Sequence, residues 1–235
     1  MTRYLAHVVS RSSGGAASAG LRGRPLRWLG SGELGLWATE WDGDATLGRD
    51  DAFAHHALVE SLCAEAPCLP VRFGTWLADE AAAQRSIEAA VVQFSAALAR
   101  VGERREVAIT LLWPEATTIE GRGHDAASSG TAFLKKRRAV HAATDERRRL
   151  ADGLATRLQT ELAVDQADVR QESCPSAEVA LSMSVLADPG AADELKARAT
   201  AAVGTLPGVR GVVSGPWPPY SFTGDLGELG GLGGS

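Results

Sequence analysis

The spacing of apolar and polar residues predicts strands in three parts of the first half of the chain. Residues 3–10 (RYLAHVVS) and 105–114 (REVAITLLWP) are rich in β-branched and other apolar residues, which is typical of strands. Residues 25–41 (PLRWLGSGELGLWATEW) contain two such runs around a Gly-Ser-Gly turn. This arrangement predicts a β-hairpin, and we assign its tryptophans to packing on the sheet.

Two further segments of the first half have the spacing of amphipathic helices. In residues 48–66 the predicted apolar stripe consists of Phe53, Ala57, Leu58 and Leu62. In residues 79–102 the predicted stripe consists of Ile87, Val91, Phe94 and Leu98. Gly102 stands where helices commonly end, so the sequence predicts one continuous helix up to that position.

The second half repeats this mixture of strands and helices. A long helix is predicted over 131–162, with a stripe of Leu150, Leu154, Leu158 and Leu162. Strands over 166–173 and 178–187, a helix over 188–208 and a last strand over 209–215 follow. This order predicts an α+β fold of two small modules, each a mostly antiparallel sheet with helices on one face.

The small and polar residues between the two halves predict where the modules separate. The predicted organisation is an N-terminal module, a junction loop, a C-terminal module and a glycine-rich flexible tail, over 1–115, 116–129, 130–222 and 223–235.

Composition narrows the class of protein. The 235 residues carry a formal net charge of -5, which disfavours a nucleic-acid partner because phosphate binding needs a basic excess. The sequence shows neither a signal-peptide pattern nor an apolar run long enough for a membrane helix, so we expect a soluble, cytoplasmic protein. The three cysteines, Cys63, Cys68 and Cys174, argue against a disulfide framework and lack the spacing of a zinc site.

Catalytic motifs are absent from the sequence, and we expect no catalytic residue, no metal site and no cofactor. One alternative is an enzyme that uses His55 or His56 with Glu60, since a histidine and a carboxylate four residues apart share a helix face. Another is a nucleic-acid module that uses the basic runs KKRR (135–138) and ERRR (146–149).

Two segments contain chemistry that simple packing does not explain. In LPVRFGTW (69–76), Arg72 stands between apolar residues, and an arginine buried there would need a carboxylate or carbonyl partner. GPWPPYSF (215–222) alternates prolines with aromatic residues, which stiffens the backbone and offers a large apolar contact. We interpret this second segment as a strap that closes over the second module, and we call it the strap below.

Three motifs in this order, LPVRFGTW, GTAFLKKRR (130–138) and VSGPWPPYSF (213–222), resemble the gas vesicle GvpL/GvpF family. The resemblance extends from about residue 50 to residue 222. It implies a non-enzymatic accessory protein of gas vesicle formation with two α+β modules, the second of them ferredoxin-like. It also implies binding to the hydrophobic shell protein GvpA and to other accessory proteins, and a location at the gas vesicle.

On this basis we predict roles for particular side chains. Arg72 and Phe73 are expected to organise the first module, and Arg137 and Arg138 to fix the long helix between the modules. The three aromatic residues expected to lock the strap over a sheet are Trp217, Tyr220 and Phe222.

Overall fold

The computed structural model describes residues 2–11, 19–43, 46–114 and 130–224. Most side chains between 130 and 143 lie outside that description, although the backbone there is helical. The strands are β1 Thr2–Ser10, β2 Leu26–Ser31, β3 Leu34–Asp42, β4 Cys68–Pro70, β5 Trp76–Leu77, β6 Arg105–Leu112, β7 Val169–Ser173, β8 Val179–Ala187 and β9 Arg210–Trp217. The helices are α1 Arg49–Glu65, α2 Glu80–Ala89, α3 Val91–Val101, α4 Gly130–Leu162 and α5 Ala192–Gly204.

The chain forms two compact units that are not continuous in sequence. The first contains Met1–Glu106, Asp188–Gly190 and the C-terminal Trp217–Ser235, and the second contains Val107–Ala187 and Ala191–Pro216. The boundaries expected from the sequence differ from this division, because β6 joins the second sheet and residues from 217 onward return to the first unit.

The first unit is built on an antiparallel sheet in the order β2-β3-β1-β4, with the short β5 also paired to β1. Successive strand residues point to opposite faces, yet every residue of β1 from Leu5 to Ser10 is buried. Both faces of the sheet are therefore covered. Helix α1 packs on β1 and β4, and α2 packs on β2 and β3.

A β-bulge at His7 interrupts the pairing of β1 with β3 between Ala6 and Val8. A bulge lets two consecutive side chains point to the same face. His7 and Val8 both lie on the α1 side, where Val8 packs in a cluster with Trp37 and Val59. The bulge thus turns a histidine toward α1 without interrupting the apolar surface of the sheet.

The hairpin of β2 and β3 holds its tryptophans across the two strands. Trp28 is paired directly with Trp37, and the next facing pair is Gly30 with Gly35. The Trp28 ring lies over both glycines, so that a Cβ on Gly35 would come within 2.3 Å of the ring. These two glycines are therefore required by close approach of the indole rather than by a turn.

The α+β fold class is confirmed, and the second unit has the ferredoxin-like arrangement. Its elements follow the order β6-α4-β7-β8-α5-β9, and its sheet has the order β7-β8-β6-β9. The first strand of this motif is β6, which the sequence-based boundaries assign to the N-terminal module. A central strand such as β6 carries apolar side chains whichever sheet it joins, so its pattern alone left this choice open.

Three predicted apolar stripes are rotated or interrupted. In α1, Phe53 and Ala57 are exposed, while the buried residues are Asp51, His55, Val59, Leu62 and Cys63. The predicted helix over 79–102 breaks at Ala90 into α2 and α3, and Val91 is exposed. In α4, Leu158 and Leu162 are buried with Ala151 and Ala155, whereas Leu150 is exposed.

Cys63 and Cys68 form a disulfide, so the inference from the cysteine count and spacing that argued against disulfides was wrong for this pair. Helix α1 ends at Glu65, and the chain enters β4 at Cys68, which brings the two Cα atoms to 5.4 Å. That distance is ordinary for a disulfide. Cys174 is a free cysteine.

None of the helices in the described ranges combines the length and the apolar character needed to cross a membrane.

Candidate functional site

A pair of buried histidines lies at the centre of the first unit, between β1 and α1. His7 Nδ1 is 2.9 Å from His55 Nδ1, and the two side chains belong to residues exposed by 0% and 2%. The network continues at both ends. His7 Nε2 lies 2.7 Å from Thr39 Oγ1, and His55 Nε2 lies 3.1 Å from the carbonyl oxygen of Val71.

Hydrogen-bond roles along this network follow from the carbonyl, which can only accept. His55 therefore donates from Nε2 to Val71, and its Nδ1 accepts from Nδ1–H of His7. His7 Nε2 then accepts from the Thr39 hydroxyl, which itself accepts from the backbone N–H of Leu21. Every ring nitrogen is satisfied when both histidines are neutral.

Burial keeps both histidines neutral. Desolvation lowers the pKa of His55 from 6.5 to about 4. Desolvation and the neighbouring His55 lower the pKa of His7 well below its usual value. These two side chains therefore serve as hydrogen-bonding core residues at neutral pH, and their lowered pKa values come from burial rather than from a carboxylate partner.

The LPVRFGTW segment wraps around this pair. The backbone N–H of Val71 donates to the carbonyl of His7 over 2.7 Å, and the Phe73 ring lies 5.3 Å from the His55 ring. Thr75 closes the turn by donating from Oγ1 to the carbonyl of Arg72. The Arg72 side chain is exposed, so the buried partner that we expected for it is not required.

From Trp217 onward the strap belongs to the first unit, which corrects its expected position over the second module; Gly215 and Pro216 lie in β9 of the second unit. Tyr220 is part of the apolar cluster of Trp37, Val59 and the disulfide, and burial raises its pKa to about 12. Phe222 is 3% exposed, and the Arg100 guanidinium lies 5.3 Å from its ring centroid.

A buried carboxylate fixes the strap at its centre. Glu106 is 5% exposed and accepts two hydrogen bonds from Ser221, one from the backbone N–H at 2.8 Å and one from Oγ at 2.7 Å. His56 adds an edge contact with the Trp217 ring at 5.2 Å and a stacked contact with Tyr220 at 6.2 Å. The segment is thus held by polar and aromatic contacts together.

Of the two histidines in the alternative catalytic site, His56 lies beside Glu60 and His55 does not. His55 points into the core toward His7, whereas His56 lies near Glu60 at 3.5 Å and against the strap. Among the described residues, no group of three or more histidine, cysteine or acidic side chains is arranged to hold a metal ion. The side chains of Arg137 and Arg138 lie outside the described residues, so their expected role stays a prediction.

The structure also contains a group of arginines that lie over tryptophan rings, which the sequence did not predict. Trp41 and Trp76 contact each other edge to face at 5.8 Å. The Arg24 guanidinium lies 4.2 Å from the Trp41 ring centroid, and the Arg3 guanidinium lies 4.2 Å from that of Trp76. We call these four residues the arginine–tryptophan surface. Which residues meet there depends on the pairing of β1 with β3, which sets Arg3 opposite Trp41 and which the sequence pattern did not specify.

Comparison with known proteins agrees with this architecture. Residues 3–224 match the family model described as gas vesicle synthesis protein GvpL/GvpF. A curated relative, gas vesicle protein L of a Streptomyces strain, is 28% identical, and the match covers 87% of this chain and 85% of the relative.

Two solved structures share the fold. Gas vesicle protein GvpF from Microcystis aeruginosa matches with a TM-score of 0.70 at 14% identity, covering 94% of this chain and 98% of that one. GvpF from an Anabaena species matches with a TM-score of 0.70 at 12% identity, covering 95% and 96% of the two chains. With a family match over almost its whole length and the fold of these structures, the chain belongs to the gas vesicle GvpL/GvpF family.

Proposed function

We propose that this protein is a non-enzymatic accessory factor of gas vesicle assembly that binds the shell protein GvpA and other vesicle proteins. The family assignment supports a role in gas vesicle formation. The observation that carries the finer proposal is the exposure of large apolar side chains on helices of the first unit. Val92 at the start of α3 is 78% exposed, its neighbour Val91 is 44% exposed, and Phe53 on α1 is 61% exposed.

The physical reason for such a partner lies in shell assembly. A subunit that polymerises through apolar surfaces exposes those surfaces before assembly, and exposed apolar surface aggregates. An acidic accessory protein that offers a few exposed apolar side chains can cover them reversibly. Binding of this kind needs no catalytic residue.

We place the contact on the Val91–Val92 corner, where the break at Ala90 separates α2 from α3. Phe94 and Leu98, which follow in the same helix, are buried and anchor α3 in the core. The valines therefore project from a helix that the core holds in place, which reduces the conformational entropy lost on binding.

Capture of GvpA by the full chain tests this proposal. Affinity-tagged wild-type protein is co-expressed with GvpA, and the captured GvpA is compared with that of the V91S/V92S variant. Val212→Ser is the matched control, because Val212 is 59% exposed but belongs to the second unit. We expect the double variant to lose most of the captured GvpA and V212S to retain it.

Full-length variants are preferable to fragments here. A fragment of residues 1–115 would cut β6 from its sheet and would remove Tyr220 and Phe222 from the first unit. Equal capture by V91S/V92S and wild type would contradict the proposed surface, and absence of capture by the wild type would contradict GvpA binding itself.

A further inference from the structure

The arginine–tryptophan surface holds two guanidinium groups that lack a carboxylate partner. Among the residues that the structure describes, neither Arg3 nor Arg24 forms a salt bridge, and the contact of each is with a tryptophan ring. Arg22 differs, since it forms a bidentate pair with Asp51 at 2.7 Å. The surface therefore retains unneutralised positive charge in a protein whose net charge is -5.

Arg3 shows the strongest evidence of a missing acceptor. Its Nε is buried and has no hydrogen-bond partner within the described part of the chain. A buried donor on a charged group is costly to leave unpaired, and such groups call for a specific explanation. Because that atom is closed to solvent, a ligand carboxylate reaches it only if the side chain moves, and the contact proposed below uses the remaining N–H donors of the two guanidinium groups.

Stacking presents the guanidinium groups in a form suited to carboxylates. A guanidinium whose flat face covers an indole ring keeps its N–H donors in the guanidinium plane. That edge matches the two oxygens of a carboxylate, which can accept both hydrogen bonds together. The tryptophan rings also restrict the arginine side chains, so that less entropy is lost when a ligand binds.

The charges described around this sheet differ between its two faces. Tyr4 follows Arg3 in β1 and therefore points to the opposite face. Burial, together with Glu40, Glu80 and Asp42, raises the pKa of Tyr4, while Arg27, which is paired with Glu40, acts against them. On the other face Arg3, Arg22 and Arg24 lie over tryptophan rings, and among the described residues Asp51 pairs with Arg22.

We propose that the arginine–tryptophan surface binds an acidic peptide segment of a partner protein through Arg3 and Arg24. The carboxylates of that segment take the in-plane N–H donors of the guanidinium groups. This surface is separate from the apolar contact proposed for GvpA and does not depend on it. A short acidic segment fits better than a long nucleic acid, because the positive charge is confined to a few arginines of a protein whose net charge is -5.

Binding of fluorescein-labelled hexaglutamate to the full chain, followed by fluorescence anisotropy, tests the proposal. Arg24→Gln is expected to weaken binding by about tenfold, the value of one charged bidentate contact. The matched control is Arg27→Gln, which removes the same positive charge three residues from Arg24. The Arg27 side chain is already paired with Glu40 at 2.7 Å. R27Q is expected to stay within about twofold of wild type, as exposed charge pairs contribute little.

Two further measurements test whether the planar donor pair of Arg24 matters beyond its charge, and whether the ligand is a peptide or a nucleic acid. Arg24→Lys keeps the charge and loses the planar donor pair, so it should also bind hexaglutamate more weakly; it replaces R24Q if that variant folds poorly. Equal weakening by R24Q and R27Q, or no binding by the wild type, would overturn the proposal. Tighter, Arg24-dependent binding of a labelled deoxythymidine decamer would overturn it in favour of a nucleic-acid ligand.

Discussion

The histidine pair shows how single residues decide the properties of the first unit. His7 and His55 are separated by 48 positions in the chain, yet they share a hydrogen bond that is complete only when both rings are neutral. The unfolded chain takes up protons on these histidines near their usual pKa of about 6.5. The folded chain does not, so the two states differ in protonation below that pH.

The first prediction is that stability falls as the pH is lowered from about 6.5 toward about 4. The pKa of His55 is lowered from 6.5 to about 4, so its contribution is complete above 6.5 and is lost as the pH falls. The loss from His55 amounts to about 3 kcal/mol. Urea denaturation across this pH range, compared with a His7→Gln, His55→Gln double variant, measures it. Identical pH slopes for the two proteins would contradict the role of the pair.

At this scale the sequence revealed residue types but not their surroundings. His7 and His55 were visible as histidines in a strand and a helix, while the bulge that turns His7 toward α1 leaves no mark in the apolar pattern. Arg72 was expected to be buried because its neighbours are apolar. The turn closed by Thr75 instead directs the arginine to solvent.

At the scale of elements, the strap depends on one deeply buried aromatic residue. We predict that Phe222→Ala lowers the free energy of unfolding by about 3 kcal/mol, because it removes a phenyl ring that is 3% exposed and leaves a cavity. Phe53→Ala removes the same ring from a position that is 61% exposed and should change stability little. Urea titration followed by tryptophan fluorescence compares the two. If Phe222→Ala lowers the free energy of unfolding no more than Phe53→Ala does, the proposed contribution of the Phe222 ring is contradicted.

The disulfide is the second device at this scale, since it ties the end of α1 to β4. We predict that replacing Cys63 and Cys68 by serine lowers stability by about 2 kcal/mol, the value for closing so short a loop. Reductant should destabilise the wild type to the same extent and leave the variant unchanged. Cys174→Ser is the control, as Cys174 is a free thiol. If reductant leaves the stability of the wild type unchanged, the disulfide does not contribute to stability as predicted.

Most elements could be located from the sequence, whereas their faces could not. Hydrophobic runs and glycines marked the strands and helices near their observed positions. In α1 the buried stripe includes Asp51 and His55, two polar residues satisfied by Arg22 and by the histidine pair. The apolar residues alone therefore predicted a buried stripe that includes Phe53. In the structure Phe53 is exposed, and the buried stripe lies on a different side of the helix.

At the scale of the whole molecule, the first unit is completed by the end of the chain. We predict that a chain ending at Trp217 is less stable than one ending at Gly224, because residues 218–224 supply Tyr220 and Phe222 to the core and Ser221 to Glu106. Thermal unfolding of the two truncated proteins measures the difference. Equal midpoints would mean that the C-terminal residues contribute no stability.

This long-range exchange also explains why the boundaries could not be predicted. The sequence presents β6 as an apolar strand and the strap as a stiff aromatic segment, and neither pattern states which sheet it joins. β6 pairs with β8 and β9 in the second sheet, while the strap returns to a cluster near the disulfide in the first unit. Non-local pairing of this kind depends on the assembled fold rather than on local composition.

We propose that this family member binds GvpA through apolar side chains on the first unit. The most direct measurement is amide hydrogen exchange of the full chain, alone and mixed with GvpA. With GvpA we expect slower exchange at the start of α3, around Val91 and Val92, and unchanged exchange in β9. Protection confined to the second unit, or no protection anywhere, would contradict it.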